Sequence, residues 1–131
     1  MDMPSPSPLR SEKIMAFAGT ANPEAAKKFY KDTLGLKLIS EDGFALAFDV
    51  GGIMLRVTRV EKVAVAPYTV LGWQVKNAAG TAKKLQAAGV KFERFPFLEQ
   101  DALGIWSAPG GSKIAWFKDP DGNTLSIAQI K

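Results

Sequence analysis

The segment Lys113-Ile-Ala-Trp-Phe-Lys-Asp-Pro-Asp-Gly-Asn-Thr-Leu-Ser-Ile-Ala-Gln-Ile130 decides the fold of this chain. Two apolar runs flank Asp119-Pro-Asp-Gly-Asn123, whose residue types favour a tight turn between antiparallel strands. Proline presets the backbone for a turn, and glycine adopts positive φ without steric cost. The segment is therefore predicted to be a β-hairpin.

The same hairpin is encoded earlier in the chain. Residues 44–60 align with residues 114–130 at a shift of 70, which places Asp49 on Asp119 and Gly52 on Gly122. Upstream of the hairpins, Asn22 aligns with Asn77 at a shift of 55. Such self-similarity indicates one module used twice, and the function is expected to lie between the two copies.

Each copy is predicted to be strand–helix–strand–strand–strand. The first copy has strands over 14–20, 36–39, 44–50 and 53–60, with a helix from the cap Asn22 to the stop at Gly35. The second copy has strands over 68–75 and 90–95, a helix from Asn77 to Gly89 and the final hairpin. An insertion of about sixteen residues within 96–111 adds a short strand and a turn.

The predicted fold class is α+β, with two βαβββ modules whose curved sheets form a cavity. Residues 1–12 are expected to be a flexible Pro/Ser tail, and 13–131 a single domain with modules 13–62 and 68–131. One helix covers only one face of a four-stranded sheet. The other face must meet a second module or remain as a cleft.

Composition excludes several classes of function. The net charge is +4, and the clustered lysines at 27, 28, 31, 83 and 84 lie on predicted helices. A solvated helix face explains them, and no basic stripe with interleaved exposed aromatic residues is visible, so no nucleic-acid partner is expected. No apolar run is long enough to span a membrane, and the first residues do not resemble a signal peptide. The chain has no cysteine or histidine. A cytoplasmic protein without disulfides is predicted.

The strand–helix pattern ending Phe29-Tyr-Lys-Asp-Thr-Leu-Gly35 and the closing Asp119-Pro-Asp-Gly-Asn123 resemble the vicinal oxygen chelate superfamily. That superfamily includes glyoxalase, bleomycin- and fosfomycin-resistance proteins and extradiol dioxygenases. The resemblance covers residues 13–130 and implies the two-module fold with a cavity. The pattern is specific for the superfamily and does not select one activity.

Metal-dependent members of this superfamily hold a divalent ion with His or Glu on the strands. The resemblance places those four positions at Met15, Arg56, Val70 and Ser126. Methionine is a soft donor, valine has no donor, and arginine is a permanent cation that repels a metal ion. No metal and no cofactor are therefore expected.

Strand alternation predicts which residues face the cavity. The cavity side includes Gly19, Thr58, Gly72, Thr124 and Ala128, and the covered side Leu55, Val57, Leu71, Trp73, Leu125 and Ile127. The predicted ligand-binding residues are Met15, Phe17, Met54, Arg56, Tyr68, Val70, Gln74, Trp106, Trp116 and Ser126. Arg56 would anchor an anionic ligand unless it pairs with Glu41, Asp42 or Glu99. The two tryptophans line the pocket or simply pack.

Three functions remain open on this sequence. The favoured one is a metal-free protein that binds a small organic molecule in an apolar cavity. The second is a metal-independent lyase- or isomerase-like enzyme that uses Arg56, Tyr68, Tyr30 or a carboxylate, although no nucleophile–base pair is visible, so catalytic residues stay unknown. The third is an interaction module that kept only the fold. A homodimer is expected in each case, because exposed sheet edges and an apolar face favour pairing of chains.

Overall fold

The computed structural model describes residues 7–131 of the chain. The predicted tail falls partly outside this range. Its described part, residues 7–12, forms consecutive turns, in which the Arg10 amide donates to the Ser7 carbonyl at 3.0 Å and the Glu12 amide to the Leu9 carbonyl at 3.2 Å. Among the described residues, no helix combines the length and the apolar character needed to cross a membrane.

The described chain folds into two modules, each with a four-stranded sheet. The first contains β1 (Met15–Thr20), α1 (Pro23–Lys27) continued by a π-helix (Lys28–Thr33), β2 (Lys37–Glu41), β3 (Ala45–Val50) and β4 (Ile53–Arg59). The second contains β5 (Leu71–Gln74), α2 (Ala78–Ala87), β6 (Trp106–Ser107), β7 (Lys113–Lys118) and β8 (Thr124–Gln129). The strand orders are β1-β4-β3-β2 and β5-β8-β7-β6. The predicted α+β fold of two modules is confirmed.

The strand register reproduces the sequence repeat. In the first sheet β1 runs parallel to β4, with Phe17 opposite Arg56. In the second sheet β5 runs parallel to β8, with Gly72 opposite Ser126. These pairs are related by the two shifts found in the sequence, 55 for the first strand and 70 for the last. Arg56 and Ser126 therefore occupy equivalent places in the two modules.

Both helices begin where their caps predict. The Asn22 side chain accepts a hydrogen bond from the Ala25 amide at 3.2 Å, and the Asn77 side chain accepts one from the Gly80 amide at 3.0 Å. Such bonds satisfy amides that have no partner within the helix. The first helix departs from expectation in its second half, which widens into a π-helix. It ends at Thr33, with Leu34 as its cap, and Gly35 follows with a φ of 71° that glycine adopts without strain.

The strand predicted over residues 90–95 is wrong. Phe92 forms a single bridge to Phe117, and the Glu93 amide donates to the Trp116 carbonyl at 2.8 Å. Beyond that point the backbone leaves the sheet, because the side chain of Gln100, rather than a neighbouring strand, accepts from the Phe95 amide at 2.8 Å. The insertion supplies β6, which takes the place of the expected strand beside β7.

The helix-covered faces of both sheets share one hydrophobic core. Leu55, Val57, Leu125 and Ile127 are all at most 2% exposed, as strand alternation predicts. They belong to a single cluster of buried residues with Tyr30 and other residues of both modules. The two modules therefore pack against each other within one chain.

Hydrogen bonds from the Asp119–Asn123 turn connect the second module to the first. Tyr30 Oη donates to Asp119 Oδ2 at 2.7 Å, and Asn123 Nδ2 donates to the Gly19 carbonyl at 2.9 Å and to Asp119 Oδ2 at 2.8 Å. The Ala21 amide donates to Asp121 Oδ1 at 2.9 Å. Burial and the charge of Asp119 raise the pKa of Tyr30 well above its ordinary value, so this phenol stays a donor.

Candidate functional site

The sheet faces turned away from the helices form what we call the open face. In the first sheet, Phe17, Arg56 and Ala47 lie in one row across three neighbouring strands. The alanine is buried on this face, whereas the phenylalanine is 57% exposed. The two sheets meet at their first strands, because β1 and β5 contact each other.

Arg56 is the cation at the centre of the first sheet's open face. It is half-buried, and within residues 7–131 its side chain makes no hydrogen bond and no ion pair. Of the carboxylates considered as partners, Glu41 and Asp42 are engaged elsewhere, and Glu99 forms no ion pair within the described residues. Glu41 pairs with Lys27 at 2.9 Å, and Asp42 accepts from the Phe44 and Ala45 amides at 2.7 and 2.9 Å.

Asp42 lies within electrostatic reach of Arg56 without bonding to it. The backbone hydrogen bonds from Phe44 and Ala45 hold the pKa of Asp42 below its usual value, and the positive charges of Arg56 and Arg59 add a smaller effect. The guanidinium therefore keeps its donors free for another acceptor.

The open face of the second sheet presents a different surface. Ser126 is buried, and its strand partners are Gly72 and Trp116. A Cβ atom added at Gly72 would lie 3.0 Å from Ser126 Oγ, so the missing side chain makes room for this hydroxyl. The position in the first sheet that is equivalent to Gly72 carries Phe17. The two modules therefore differ as binding surfaces.

A row of four aromatic rings crosses the second module. Trp106 and Trp116 lie 6.1 Å apart between ring centroids, Phe95 meets Trp116 edge to face at 5.5 Å, and Phe97 lies 5.6 Å from Phe95. Phe97 is 79% exposed. Aromatic pairs in these offset and edge-to-face arrangements are favourable beyond the area that they bury.

This row leads into a groove of about 530 Å³, which we call the aromatic groove. Its floor is the turn end of β7 and β8, and its walls are the connector before β5 and the loop after Phe92. The lining residues are Val65, Ala66, Pro67, Tyr68, Thr69, Phe95, Phe97, Leu98, Trp116, Lys118 and Thr124.

The remaining predicted ligand residues are placed as follows. Met15 and Met54 face each other across β1 and β4 and are exposed, as is Gln74 on β5. Tyr68 precedes β5 and is 67% exposed at the wall of the aromatic groove. Val70 packs against the hydrophobic core cluster. The structure thus distributes the set over both sheets, the hydrophobic core and the aromatic groove.

The residues at the four family metal positions do not fit a catalytic divalent ion. Arg56 is a permanent cation, Ser126 is a buried neutral hydroxyl, Met15 offers only a thioether, and Val70 has no donor. In the described part of the chain, no three His, Cys, Asp or Glu side chains lie together in a group that could hold a metal ion. These four side chains therefore do not provide the donor set that such an ion requires.

The chemistry available on the open face is recognition by charge, hydroxyl groups and aromatic rings. Tyr30 lies in the core and is committed to Asp119, so it is separated from the open face. Sequence reasoning missed Phe95, Phe97 and Lys118. The signal for the first two was the Phe95-Pro-Phe97 run, where two aromatic residues flank a proline at the junction between the strand predicted over 90–95 and the insertion.

Solved structures share this fold at low sequence identity. A glyoxalase family protein from Enterococcus faecalis has a TM-score of 0.71 at 21% identity, with 92% of this chain and 99% of that one covered. A lactoylglutathione lyase from Agrobacterium tumefaciens has a TM-score of 0.68 at 18% identity, covering 90% and 93%. A bleomycin-binding protein in complex with bleomycin has 0.70 at 16%, covering 92% and 100%.

A search of curated proteins gives no significant match. The family model of the glyoxalase/bleomycin resistance protein/dioxygenase superfamily matches residues 14–127, which is most of the chain. The match includes both helices, the first hairpin and the second hairpin as far as residue 127 within β8. The repeated modules, their register and this match lead to one conclusion: the chain belongs to the glyoxalase/bleomycin resistance protein/dioxygenase superfamily.

Proposed function

We propose that this protein binds a small organic anion on its open face without a metal ion, and that Arg56 is the main polar anchor. The observation that carries the proposal is the state of this arginine, which is half-buried and has no bonded partner in residues 7–131. A charge that is partly removed from water is stabilised by an anionic or hydrogen-bonding partner. A ligand carboxylate, phosphate or enolate supplies such a partner.

The surroundings of Arg56 support an organic ligand rather than an inorganic ion. Phe17 and Met54 present exposed apolar side chains on the same face. Ligand sites typically combine apolar surface with a few polar groups that fix the orientation of the ligand. Among similar folds, the bleomycin-binding protein holds an organic molecule. Dimer formation and a cytoplasmic location remain predictions from the sequence.

The test is a thermal-shift screen of small organic carboxylates and phosphates, repeated after treatment with EDTA. Arg56→Met is expected to melt at the same temperature as the unmodified protein without ligand, and to lose the stabilisation that a bound anion gives. The matched control is Arg59→Met, which removes the same charge from the same strand at its exposed end.

Two results would contradict the proposal. If Arg56→Met lowers the melting temperature without any ligand, the arginine has a structural role. If EDTA abolishes the stabilisation in the unmodified protein, binding depends on a metal ion. A screen in which no anion stabilises the protein favours the interaction module that retains only the fold.

A further inference from the structure

The aromatic groove is a second binding site, and we propose that it takes a planar aromatic anion. The ring would stack in the row that contains Trp116, and the acidic group would lie at Lys118. This site goes beyond the proposed function, because all its lining residues belong to the second module and the connector before it. The Arg56 anchor lies in the other sheet.

The size and lining of the groove fit a small aromatic molecule. Its volume of about 530 Å³ lies within the range that ligand pockets occupy. Phe97 and Tyr68 stand in opposite walls and are 79% and 67% exposed. Large aromatic side chains exposed on both sides of a groove indicate that apolar surface is kept available for contact with another molecule.

The charge of the groove selects an anion. Lys118 is the one charged residue among those that line the groove, and within residues 7–131 it has no ion-pair partner. The neighbouring carboxylate of Asp119 is buried, and both of its oxygens already accept hydrogen bonds from Tyr30, Asn123 and the Asp121 amide. Within residues 7–131 it forms no ion pair with Lys118.

A hydroxyl group stands beside this ammonium group. Thr124 is the strand partner of Lys118 and also lines the groove. The Thr124 backbone is fixed, because its carbonyl accepts from the Val70 amide at 2.9 Å. An ammonium and a hydroxyl group on adjacent strands give a carboxylate two donors from one rigid floor.

The proposal is tested with three probes in ligand-detected NMR titrations. 2-Naphthoate carries both the ring and the charge, 2-naphthamide lacks the charge, and cyclohexanecarboxylate lacks the aromatic ring. 2-Naphthoate is expected to bind most tightly. Replacing the charge or the ring should weaken binding by about two- to tenfold.

Variants locate the site. Lys118→Gln is expected to weaken binding of 2-naphthoate about three- to fivefold, the range of an exposed ion pair, and Phe97→Ser should weaken binding of both naphthyl probes. Both side chains are exposed, so neither variant disturbs the core. The matched control Lys113→Gln removes the same charge at the other end of β7, outside the groove, and should have no effect.

Several outcomes would overturn the inference. They are equal binding of the three probes, equal effects of Lys118→Gln and Lys113→Gln, or no binding of 2-naphthoate. Arg56→Met separates this inference from the proposed function. If it abolishes binding of 2-naphthoate while Lys118→Gln does not, the open face of the first sheet binds the anion and the groove does not. If only Lys118→Gln weakens binding, the result supports the aromatic groove as the binding site and gives no support to Arg56 as an anchor for this ligand.

Discussion

Single side chains decide how the repeated modules differ. Phe17 and Gly72 occupy equivalent places on the first strands, and Arg56 and Ser126 on the last. The first sheet therefore carries a bulky ring beside a cation, whereas the second has space beside a buried hydroxyl. The alternation of side chains along each strand and the sequence repeat predict the positions of these four residues. The partners of Arg56 could not be predicted, because they depend on where Glu41 and Asp42 find their own bonds.

The phenol of Tyr30 is expected to stabilise the fold through Asp119. Tyr30→Phe removes a buried hydrogen bond to a charged acceptor and should lower the free energy of unfolding by about 2 kcal/mol. Urea denaturation followed by circular dichroism measures the change. Tyr68→Phe is the control, because its ring is 67% exposed and should change stability by less than about 0.5 kcal/mol. Equal effects of the two substitutions would contradict this role.

The same residue gives stability a defined dependence on pH. The pKa of Tyr30 is raised in the folded state, so its contribution is complete below the unfolded pKa of about 10. Above that pH the unfolded chain releases the phenolic proton while the folded protein retains it, and stability falls as pH rises. The difference in unfolding free energy between the unmodified protein and Tyr30→Phe should therefore shrink above about pH 10. Urea titrations from neutral to alkaline pH measure it, and a constant difference would contradict the expectation.

At the scale of secondary structure, the helices and hairpins follow local rules and were predictable. Asn22 and Asn77 cap the two helices, and the tight turns of both hairpins fall where glycine and aspartate predict them. The strand over 90–95 could not be excluded from its own residues, which have the apolar character of a strand. Its loss depends on Gln100, whose side chain binds the backbone of Glu93, Phe95 and Gly104 within the same loop.

The side chain of Gln100 is expected to hold the loop that forms one wall of the aromatic groove. Its Oε1 accepts from the Phe95 amide at 2.8 Å, and its Nε2 donates to the Glu93 and Gly104 carbonyls at 2.9 and 2.8 Å. Gln100→Ala should destabilise the protein by about 1–3 kcal/mol and accelerate hydrogen exchange at the Phe95 amide.

Hydrogen exchange measured by NMR distinguishes a local from a general effect. Gln86→Ala, on the exposed side of α2, is the matched control and should leave exchange at the Phe95 amide unchanged. Unchanged protection of the Phe95 amide in Gln100→Ala would mean that other contacts hold the loop.

At the scale of the whole molecule, the two modules pack within one chain. The sequence repeat predicts the strands and helix of each module but not which module it packs against. Whether the modules pair inside a chain or across a dimer was therefore open from the sequence. The shared core and the bonds from Tyr30 and Asn123 to the opposite module join the modules within the chain. Within residues 7–131, the open face of the first sheet carries exposed apolar side chains at Met15 and Phe17.

Exposure of this apolar surface leads us to expect a homodimer through the open face. Light scattering at micromolar concentration should give twice the mass of the chain. Phe17→Lys should shift the mass to that of a monomer, because a second cation opposite Arg56 is costly to bury in an interface. Ile130→Lys is the control, since Ile130 is similarly exposed but lies beyond β8. A monomer without any substitution would contradict the expectation.

The turn that joins the modules also sets an order of events during protein synthesis. The Ala21 amide can donate its hydrogen bond to Asp121 only after that residue, which lies 100 residues further along the chain, has been synthesised. At about 5–20 residues per second, a ribosome needs roughly 5–20 s to make that segment. The first module therefore emerges from the ribosome before the second module can cover Tyr30. The surface around Tyr30 stays exposed to chaperones and proteases until the last hairpin leaves the exit tunnel. Synonymous codon changes that slow translation between the modules should lower the yield of folded protein without altering its final stability.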